Sequence, residues 1–331
     1  MTLETVLKPE LLERAGIDLQ CGEYEILKGG NNRVFKVSDS SRTVVIKQYF
    51  DDGRQRLERE AGFVSLVWNS GIRTVPEPLL IAPEHRAAVY AFIDGEKLPQ
   101  KGIRSGHMSQ ILDFIREINR DGIRFSSDGK KLLNAAEACF SFEDHFSSVD
   151  RRMQRFMTAD SADPADRPGI EFMIREVGPV WEELKKKCTG RRSVKKQKGT
   201  GQCLISPSDF GFHNILARKR DRELVFIDFE YAGWDDPAKL ICDFFCQVET
   251  PVPHDWFEPV VKAVKELVDA DPDFESDLDV LMKVCRVKWC CIMLNVFLGS
   301  EKGRKKFAGY DADIRELQLE KTKNYAKKYL F

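Results

Sequence analysis

Three polar residues in the second half of the chain, Asp209, Asn214 and Asp228, have the types and spacing that phosphoryl transfer requires. The reaction needs a carboxylate that takes the proton of an attacking hydroxyl. It also needs oxygen ligands for Mg²⁺, which neutralises charge on the β- and γ-phosphates. We predict that Asp209 is the base and that Asn214 and Asp228 bind the metal. Glu230 is predicted to support these metal ligands or to act as a second ligand.

Apolar runs on either side of a turn must position these residues. One run precedes Asp209, and a second, Leu224–Ile227, leads directly into Asp228. Because residues 217–223 are charged and turn-like, the pattern predicts a β-hairpin. The hairpin would bring Asp228 back beside the loop that carries Asp209 and Asn214.

The order Asp-x4-Asn, an apolar run and then Ile-Asp resembles the protein-kinase-like fold. Within that fold it is most similar to the aminoglycoside phosphotransferase and choline kinase group. The phrase Phe226-Ile-Asp-Phe-Glu-Tyr-Ala232 looks especially like the choline and ethanolamine kinases. The resemblance implies ATP as the phosphoryl donor and Mg²⁺ as its metal. The plain alternative is a polar loop that caps an apolar hairpin.

Two positions depart from the family pattern. Pro207 stands where the family usually has a histidine, two residues before the catalytic aspartate. This departure concerns the geometry of the loop more than its chemistry. The family also often has Asp-Pro-x-x-Asp after the metal ligand, whereas here Asp236-Pro237 is followed by Asp243, three residues later than usual.

A glycine turn near the N terminus is a candidate phosphate-binding loop. The segment from Lys28 to Val37 follows a short apolar run and alternates in character, which predicts a hairpin. Glycine lets the backbone approach a phosphate closely. The turn resembles the phosphate-covering loop of the aminoglycoside phosphotransferases, and an ordinary turn is the alternative. The resemblance implies that four residues bind the nucleotide: Gly29, Gly30, Asn31 and Asn32.

Lys47 lies inside a predicted strand, Arg42–Phe50. A lysine on an exposed strand face is the plain alternative. The resemblance implies instead that Lys47 reaches inward to the α- and β-phosphates and is held there by a carboxylate. Residues 54–68 have the periodicity of an amphipathic helix, which carries Glu58 and Glu60. The local match Arg-Glu-Ala favours Glu60 as the partner.

Another apolar run, residues 86–93, predicts a strand that ends at Asp94-Gly95. It resembles the family's hinge, where backbone groups meet the edge of the adenine. The resemblance implies nucleotide contacts at Tyr90, Phe92 and Ile93. A plain strand is compatible with that role.

The order of the predicted elements indicates an α+β fold. Strands dominate the first part of the chain, and helical periodicity begins near Lys97. The resemblance implies a two-lobed protein-kinase-like fold with a small β-rich N-lobe over residues 1–95 and a larger, mainly helical C-lobe over residues 96–331. The N-lobe would carry the phosphate loop, the lysine and its glutamate. The C-lobe would carry the catalytic loop, the metal site and the substrate-binding helices.

The composition of the 331 residues is that of an ordinary soluble protein. The formal net charge of −1 favours neither nucleic acid nor a membrane as a partner. Nine scattered cysteines without a Cys-x-x-Cys pair predict reduced thiols in the cytoplasm. No apolar run approaches the roughly 18 residues that would cross a bilayer, and the first residues lack the pattern of a secretory signal.

A dense basic stretch, Lys185–Lys198, directly precedes the catalytic segment. Its composition is typical of a solvated connector, and it could also bind an anionic partner or flank the substrate.

The predicted function is ATP-dependent phosphorylation of a hydroxyl on a small molecule: a sugar, an amino alcohol or an aminoglycoside. The Phe-Glu-Tyr-Ala phrase favours amino alcohols. One rival is a pseudokinase that binds nucleotide without turnover, motivated by Pro207, although the candidate catalytic residues are present. A second is a protein kinase or a nucleic-acid-associated factor. The near-zero charge argues against the latter, and Phe-Glu rather than Phe-Gly after Asp228 argues against a protein kinase.

Overall fold

The structure is a computed structural model that describes residues 7–18, 23–27, 29–159, 163–192, 197–299, 307 and 313–331. Two parts of the predicted segments lie outside the described residues: Lys28 of the glycine turn and residues 193–196 of the basic stretch.

The strands are concentrated in the first third of the chain and around the predicted catalytic hairpin. Their bounds are β1 Glu23–Leu27, β2 Arg33–Ser38, β3 Thr43–Gln48, β4 Pro78–Ala82, β5 Ala87–Ala91, β6 Gly95–Lys97, β7 Leu204–Ser206, β8 Ile215–Arg218, β9 Leu224–Phe226 and β10 Gly233–Asp235.

Most helices follow the first five strands. Their bounds are α1 Pro9–Arg14, α2 Arg56–Asn69, α3 Ser105–Ile118, α4 Asp121–Arg124, α5 Ser127–Lys131, α6 Phe142–Met157, α7 Arg167–Phe172, α8 Gly178–Lys187, α9 Thr189–Arg192, α10 Pro237–Cys246, α11 Phe257–Lys265, α12 Phe274–Leu294 and α13 Arg315–Tyr329. A short π-helical stretch, Met173–Val177, joins α7 to α8.

The first five strands form one antiparallel sheet in the order β1-β2-β3-β5-β4. Side chains of β3 alternate between its two faces. Val44 and Ile46 join a buried apolar cluster that includes Leu11 and Leu12 of α1. Lys47 therefore lies on the opposite face of the sheet from this cluster.

A second antiparallel sheet has the order β6-β8-β9. Strands β8 and β9 are the arms of the predicted hairpin, with Ile215 opposite Phe226. Strand β6 adds to the hairpin with Lys97 opposite Leu216. The residues just before β8 and just after β9 are thereby held at the same end of the sheet.

The chain divides into two compact units. Unit 1 comprises Met1–Ala136, Ile205–Trp234 and Arg304–Tyr310, and unit 2 comprises Glu137–Leu204, Asp235–Gly303 and Asp311–Phe331, as far as these ranges are described. Unit 1 contains both sheets described above. The predicted division into an N-lobe of residues 1–95 and a C-lobe of residues 96–331 stays a prediction.

Unit 2 is built from helices that pack around α12. None of residues 284–294 in the second half of α12 is exposed, and α6, α10 and α13 lie against this helix. Large aromatic rings fill the interior, since Trp181 of α8 stacks on Phe146 of α6 with ring centroids 5.2 Å apart. An extensive apolar core of this kind accounts for most of the stability of such a unit.

Candidate active site

Lys47 is at the centre of a cluster of charges in unit 1. Its Nζ lies 2.7 Å from Oε2 of Glu60 and also donates to Oδ1 of Asp228. The Lys47 and Glu60 side chains are buried, whereas the Asp228 side chain is 38% exposed. The cluster therefore has one carboxylate that a ligand can reach.

Helix α2 determines which glutamate contacts Lys47. Glu60 is three residues after Leu57 and four before Val64, and all three are buried on the same face of the helix. Glu58 lies on the exposed side. Glu60 is therefore the glutamate that contacts Lys47 in this structure.

The cluster shifts the pKa of each member. Burial by itself lowers the pKa of Lys47, but Asp228, Glu60 and Glu230 raise it well above the usual lysine value. Burial raises the pKa of Glu60 to about 7, with Lys47 opposing the shift. Burial also acts to raise the pKa of Asp228, but the neighbouring ammonium of Lys47 outweighs it and the pKa is lowered. Lys47 and Asp228 thus carry full charge at neutral pH.

The loop between β7 and β8 carries the candidate base. Asp209 has a backbone φ of +40°, and Ser208 before it has a φ of +50°. Asp228, after β9, has a φ of +68°. Left-handed backbone is costly for residues other than glycine, and such residues cluster at functional sites. Two of the three are at the predicted catalytic and metal positions, Asp209 and Asp228, and Ser208 directly precedes the predicted base.

Two side chains of the loop are bonded back to Asp209. Nδ2 of Asn214 donates to the Asp209 carbonyl at 3.0 Å, and Nε2 of His213 lies 3.3 Å from Oδ1 of Asp209. The amide of Ile227 donates to the Asn214 carbonyl at 3.0 Å, which connects the loop to the end of β9. The loop is thus tied to the strand that delivers Asp228. His213 was not predicted from the sequence, since a single histidine in a polar loop gives no signal of its own.

The carboxylate of Glu230, two residues after the predicted metal ligand Asp228, holds the predicted phosphate loop. Nδ2 of Asn31 donates to Oε1 of Glu230 at 2.6 Å, and Nδ2 of Asn32 donates to Oε2. Glu230 and Asn32 are buried. Both oxygens of Glu230 therefore accept hydrogen bonds from the loop, and its part in supporting or binding the metal stays a prediction.

The glycines of this loop have different surroundings. A Cβ on Gly29 would lie 2.5 Å from the carbonyl oxygen of Asn32, so the turn itself excludes a side chain there. A Cβ on Gly30 would have no atom within 4 Å. The backbone at Gly30 faces open space that a phosphate could fill.

Arg56 of α2 completes this arrangement and was missed by sequence reasoning. Its Nη1 lies 2.7 Å from Oε1 of Glu230 and donates to the Tyr231 hydroxyl at 2.9 Å. Its Nη2 donates to Oδ2 of Asp52 at 2.6 Å. The sequence did contain a signal for Arg56, because it is four residues before Glu60 and therefore lies on the same face of the predicted helix.

The predicted hinge residues lie at the end of β5 and just after it. Tyr90 is buried, with its hydroxyl 3.1 Å from that of Tyr49. Phe92 and Ile93 follow the strand, and Nζ of Lys36 lies 4.8 Å from the centre of the Phe92 ring. The Tyr90 side chain is thus engaged in the interior, and its contact with a nucleotide stays a prediction.

The residues at the predicted metal position suit Mg²⁺. Asp228 offers a partly exposed carboxylate, and Asn214, whose Nδ2 is engaged, offers an amide oxygen. Mg²⁺ prefers such hard oxygen ligands, usually one or two from the protein together with phosphates and water. In the described part of the chain, no three His, Cys, Asp or Glu side chains come together as a metal site of their own.

Comparison with solved structures identifies the architecture. Choline kinase from Streptococcus pneumoniae matches with a TM-score of 0.59 at 13% sequence identity, covering 99% of this chain and 99% of that one. Spectinomycin phosphotransferase in complex with ADP and spectinomycin gives 0.59 at 14%, covering 96% and 97%. The chain has the protein-kinase-like fold. Plasmodium vivax ethanolamine kinase gives 0.56 at 14%, covering 98% and 85%.

The predicted kinase-like α+β fold, with a β-rich N-terminal part and a mainly helical C-terminal part, is thereby confirmed. No family model matches the sequence, and no curated protein matches it. The likeness is therefore one of structure, at identities too low to transfer an activity.

Most of the described basic residues of Lys185–Lys198 are paired with acids inside unit 2. Lys185 lies 3.2 Å from Asp150, and Arg192 lies 2.7 Å from Glu143. Lys198 lies 2.9 Å from Asp236. Much of the positive charge of this stretch is thus matched within the unit itself. None of the helices that the structure describes is long and apolar enough to cross a membrane.

Proposed function

We propose that this protein is an ATP- and Mg²⁺-dependent phosphotransferase that phosphorylates a hydroxyl group of a small molecule. The observation that carries the proposal is the contact of Lys47 with both Glu60 and Asp228. A lysine fixed between a helix glutamate and a loop aspartate is arranged to hold phosphates beside a metal ligand. The catalytic loop with Asp209 is bonded to the same strand end.

Each residue has a distinct task in this proposal. Lys47 binds the α- and β-phosphates, and Glu60 fixes its position. Asp228 and Asn214 hold Mg²⁺, which supplies positive charge to the phosphates. Asp209 orients the acceptor hydroxyl and receives its proton. Most of the rate enhancement then comes from positioning and from electrostatic stabilisation, as is general for phosphoryl transfer.

Nucleotide binding is supported by the fold and by the loop geometry. Structures of this fold have been solved with ADP or with AMP bound. In this chain the backbone of Gly29 and Gly30 would cover the phosphates, and Asn31 and Asn32 would hold that loop in place through Glu230. The backbone from Tyr90 to Ile93 would meet the adenine.

For the acceptor we propose an amino alcohol, with sugars and aminoglycosides as the other members of the class. The Phe226–Ala232 phrase supports this choice. So does the likeness to structures named as choline and ethanolamine kinases, although spectinomycin and macrolide phosphotransferases have the same fold. The reaction would take place in the cytoplasm, as the reduced cysteines predict.

The test is Mg²⁺-dependent ATP consumption against a panel of amino alcohols, sugars and aminoglycosides. We expect turnover on one class, and we expect Asp209→Asn to abolish it. Asp113→Asn is the matched control, because Asp113 is an exposed aspartate on α3 that pairs only with the neighbouring Arg116 among the contacts described. ATP binding without turnover on any acceptor would favour the pseudokinase, and equal turnover by Asp209→Asn would refute the assigned base.

A further inference from the structure

Arg56 holds two acceptor groups in place at the start of helix α2. It is the first residue of that helix and is 2% exposed. Its Nη1 lies 2.7 Å from Oε1 of Glu230 and donates to the Tyr231 hydroxyl at 2.9 Å. Its Nε and Nη2 donate to the carboxylate of Asp52, at 3.1 Å and 2.6 Å. Because the guanidinium group is planar and is bonded along both edges, it has one orientation, which fixes Glu230 and Tyr231 relative to α2.

The predicted phosphate loop bonds to the same two groups. Nδ2 of Asn31 donates to Oε1 of Glu230 at 2.6 Å and to the Tyr231 hydroxyl at 3.1 Å. Nδ2 of Asn32 donates to the other oxygen of Glu230. The two acceptor atoms that Asn31 uses are therefore the two that Nη1 of Arg56 contacts. The position of the loop thus depends on atoms whose positions Arg56 sets.

The same face of α2 also fixes Lys47. Glu60 is one helical turn after Arg56, and its Oε2 lies 2.7 Å from Nζ of Lys47. Helix α2 therefore connects the lysine that would bind the α- and β-phosphates to the loop that would cover the phosphates. A buried polar network is rigid only when its members are satisfied. Without Arg56, Glu230 would be a buried carboxylate with fewer donors, and the loop would lose its fixed distance from Lys47.

We propose that Arg56 is a positioning residue, which acts through Glu230 and Tyr231 to hold the phosphate loop over the β- and γ-phosphates of the nucleotide. The inference rests on the proposed function. Backbone N–H groups at Gly29 and Gly30 stabilise a phosphate only at hydrogen-bond distance, so a displaced loop loses these contacts. The predicted adenine contacts lie elsewhere, at the end of β5 and just after it. The contribution of Arg56 to affinity should therefore grow with the number of phosphates that the nucleotide carries.

The experiment measures the affinities for ATP, ADP and AMP by calorimetry in the presence of Mg²⁺. Arg56→Gln removes the charge, whereas Arg56→Lys retains it but cannot bond along two edges. Arg59→Gln is the matched control, because Arg59 is a partly buried arginine of the same helix whose Nε donates to the Arg54 carbonyl. Ile118→Ala is the control for lost stability, since Ile118 is fully buried in α3 of the same unit.

We expect Arg56→Gln to weaken binding of MgATP and MgADP by about 10-fold, in line with the loss of one or two hydrogen bonds to phosphate. Binding of AMP should weaken by about 2-fold at most, so the ratio of ATP affinity to AMP affinity should fall. Arg56→Lys should recover part of that ratio, because its ammonium group can still bond to Glu230. Arg59→Gln and Ile118→Ala should keep the wild-type ratio, even where the protein is less stable.

Two results would overturn the inference. Equal weakening of ATP, ADP and AMP binding in Arg56→Gln would mean that Arg56 only stabilises unit 1, and full affinity for ATP would mean that the loop is held without it. If Arg56→Gln does not fold, Asp52→Ala decides the matter, because it removes the outer bonds of Arg56 and leaves its contact with the buried Glu230. We expect Asp52→Ala to lower the ratio of ATP affinity to AMP affinity by about 2- to 3-fold, and an unchanged ratio would contradict the inference. A wild-type protein that binds neither MgATP nor MgADP would instead refute the proposed function itself.

Discussion

The two units contain buried charges that are arranged in opposite ways. In unit 1, one lysine meets two carboxylates, and the Asp228 side chain is partly exposed. In unit 2, Lys239 lies 2.7 Å from Asp235 and 2.9 Å from Asp243, and Lys288 lies 2.7 Å from Asp243. That second set alternates in sign and has equal numbers of cations and anions. Only Lys288 at its end is more than about a tenth exposed.

The two sets differ in their balance of charge. The four charges of unit 2 satisfy one another. On α10, Lys239 and Asp243 are one helical turn apart, and Asp235 lies at the end of β10, four residues before Lys239. The set in unit 1 has an excess negative charge, so a cation would complete it. Burial and pairing alone do not distinguish the two sets, since both contain buried ion pairs. The imbalance and the partly exposed carboxylate support the proposal that the set in unit 1 binds a ligand.

The largest effect is expected from removing the open carboxylate. Asp228→Asn should lower kcat/KM by about 10²- to 10³-fold, because a metal and phosphate contact is lost. The free energy of unfolding should change by less than about 1 kcal/mol, since Lys47 and Glu60 remain as a matched pair. Urea unfolding and steady-state kinetics measure the two quantities, with Asp113→Asn as the control. A strongly destabilised Asp228→Asn would show that the unit 1 set is structural after all.

The reverse pattern is expected in unit 2. Asp243→Asn removes the carboxylate that contacts both Lys239 and Lys288, which should lower the free energy of unfolding by about 3 to 5 kcal/mol. The folded fraction should retain its kcat, because the substitution alters the balance of a structural set. Urea unfolding, together with kinetics at low temperature, tests both statements.

A second substitution tests the charge argument directly. Asp243→Asn combined with Lys288→Met restores equal numbers of cations and anions, so we expect it to recover more than half of the lost stability. No recovery would mean that the individual hydrogen bonds of Asp243 matter more than the balance of charge.

The sequence was sufficient for parts of the molecule whose signals are local. The apolar alternation around Lys47 and the run before Asp228 predicted β3 and β9, and the periodicity of residues 54–68 predicted α2. The residue types of Asp209 and Asn214, five positions apart in the sequence, also predicted the loop that carries them. These features depend on neighbours a few residues away, which a single sequence displays.

Features that depend on distant pairing were not visible. Lys97 gains its position only because β6 pairs with β8, and Glu230 bonds Asn31 and Asn32 only after both chain segments are folded. Lys288 of α12 likewise meets Asp243 only because its helix packs against α10, so this contact joins two helices rather than two neighbouring residues.

A buried histidine of unit 2 is expected to make the free energy of unfolding depend on pH. Burial lowers the pKa of His145, but Cys139 and Asp236 raise it to about 10, above the ordinary value of about 6.5. Because the folded pKa is the higher one, this interaction contributes fully below pH 6.5 and is lost as the pH rises through 10. His145→Gln should therefore remove a decline in the free energy of unfolding between pH 6.5 and 10.

The expected decline is of the order of a few kcal/mol, since one unit of pKa difference corresponds to about 1.4 kcal/mol. Denaturant unfolding at pH 6, 8 and 9.5 measures it, with His254→Gln as the control, because His254 is a histidine of the same unit whose ring packs against Phe257. An equal decline in the His145→Gln protein would show that another group is responsible.

The smallest effect is expected at the phosphate loop, and it differs between two adjacent asparagines. Asn32 is buried, donates to Glu230, and accepts the Phe50 amide at 3.1 Å, whereas Asn31 is only partly buried. Asn32→Ala should raise the KM for MgATP by about 3- to 10-fold and cost about 1 to 2 kcal/mol of stability, because the buried Glu230 carboxylate and the partly buried Phe50 amide lose a partner. Asn31→Ala should raise that KM by about 2-fold at most. If both substitutions raised the KM equally while stability stayed unchanged, both side chains would contact the nucleotide directly, and the bond from Asn32 to Glu230 would not be what positions the loop.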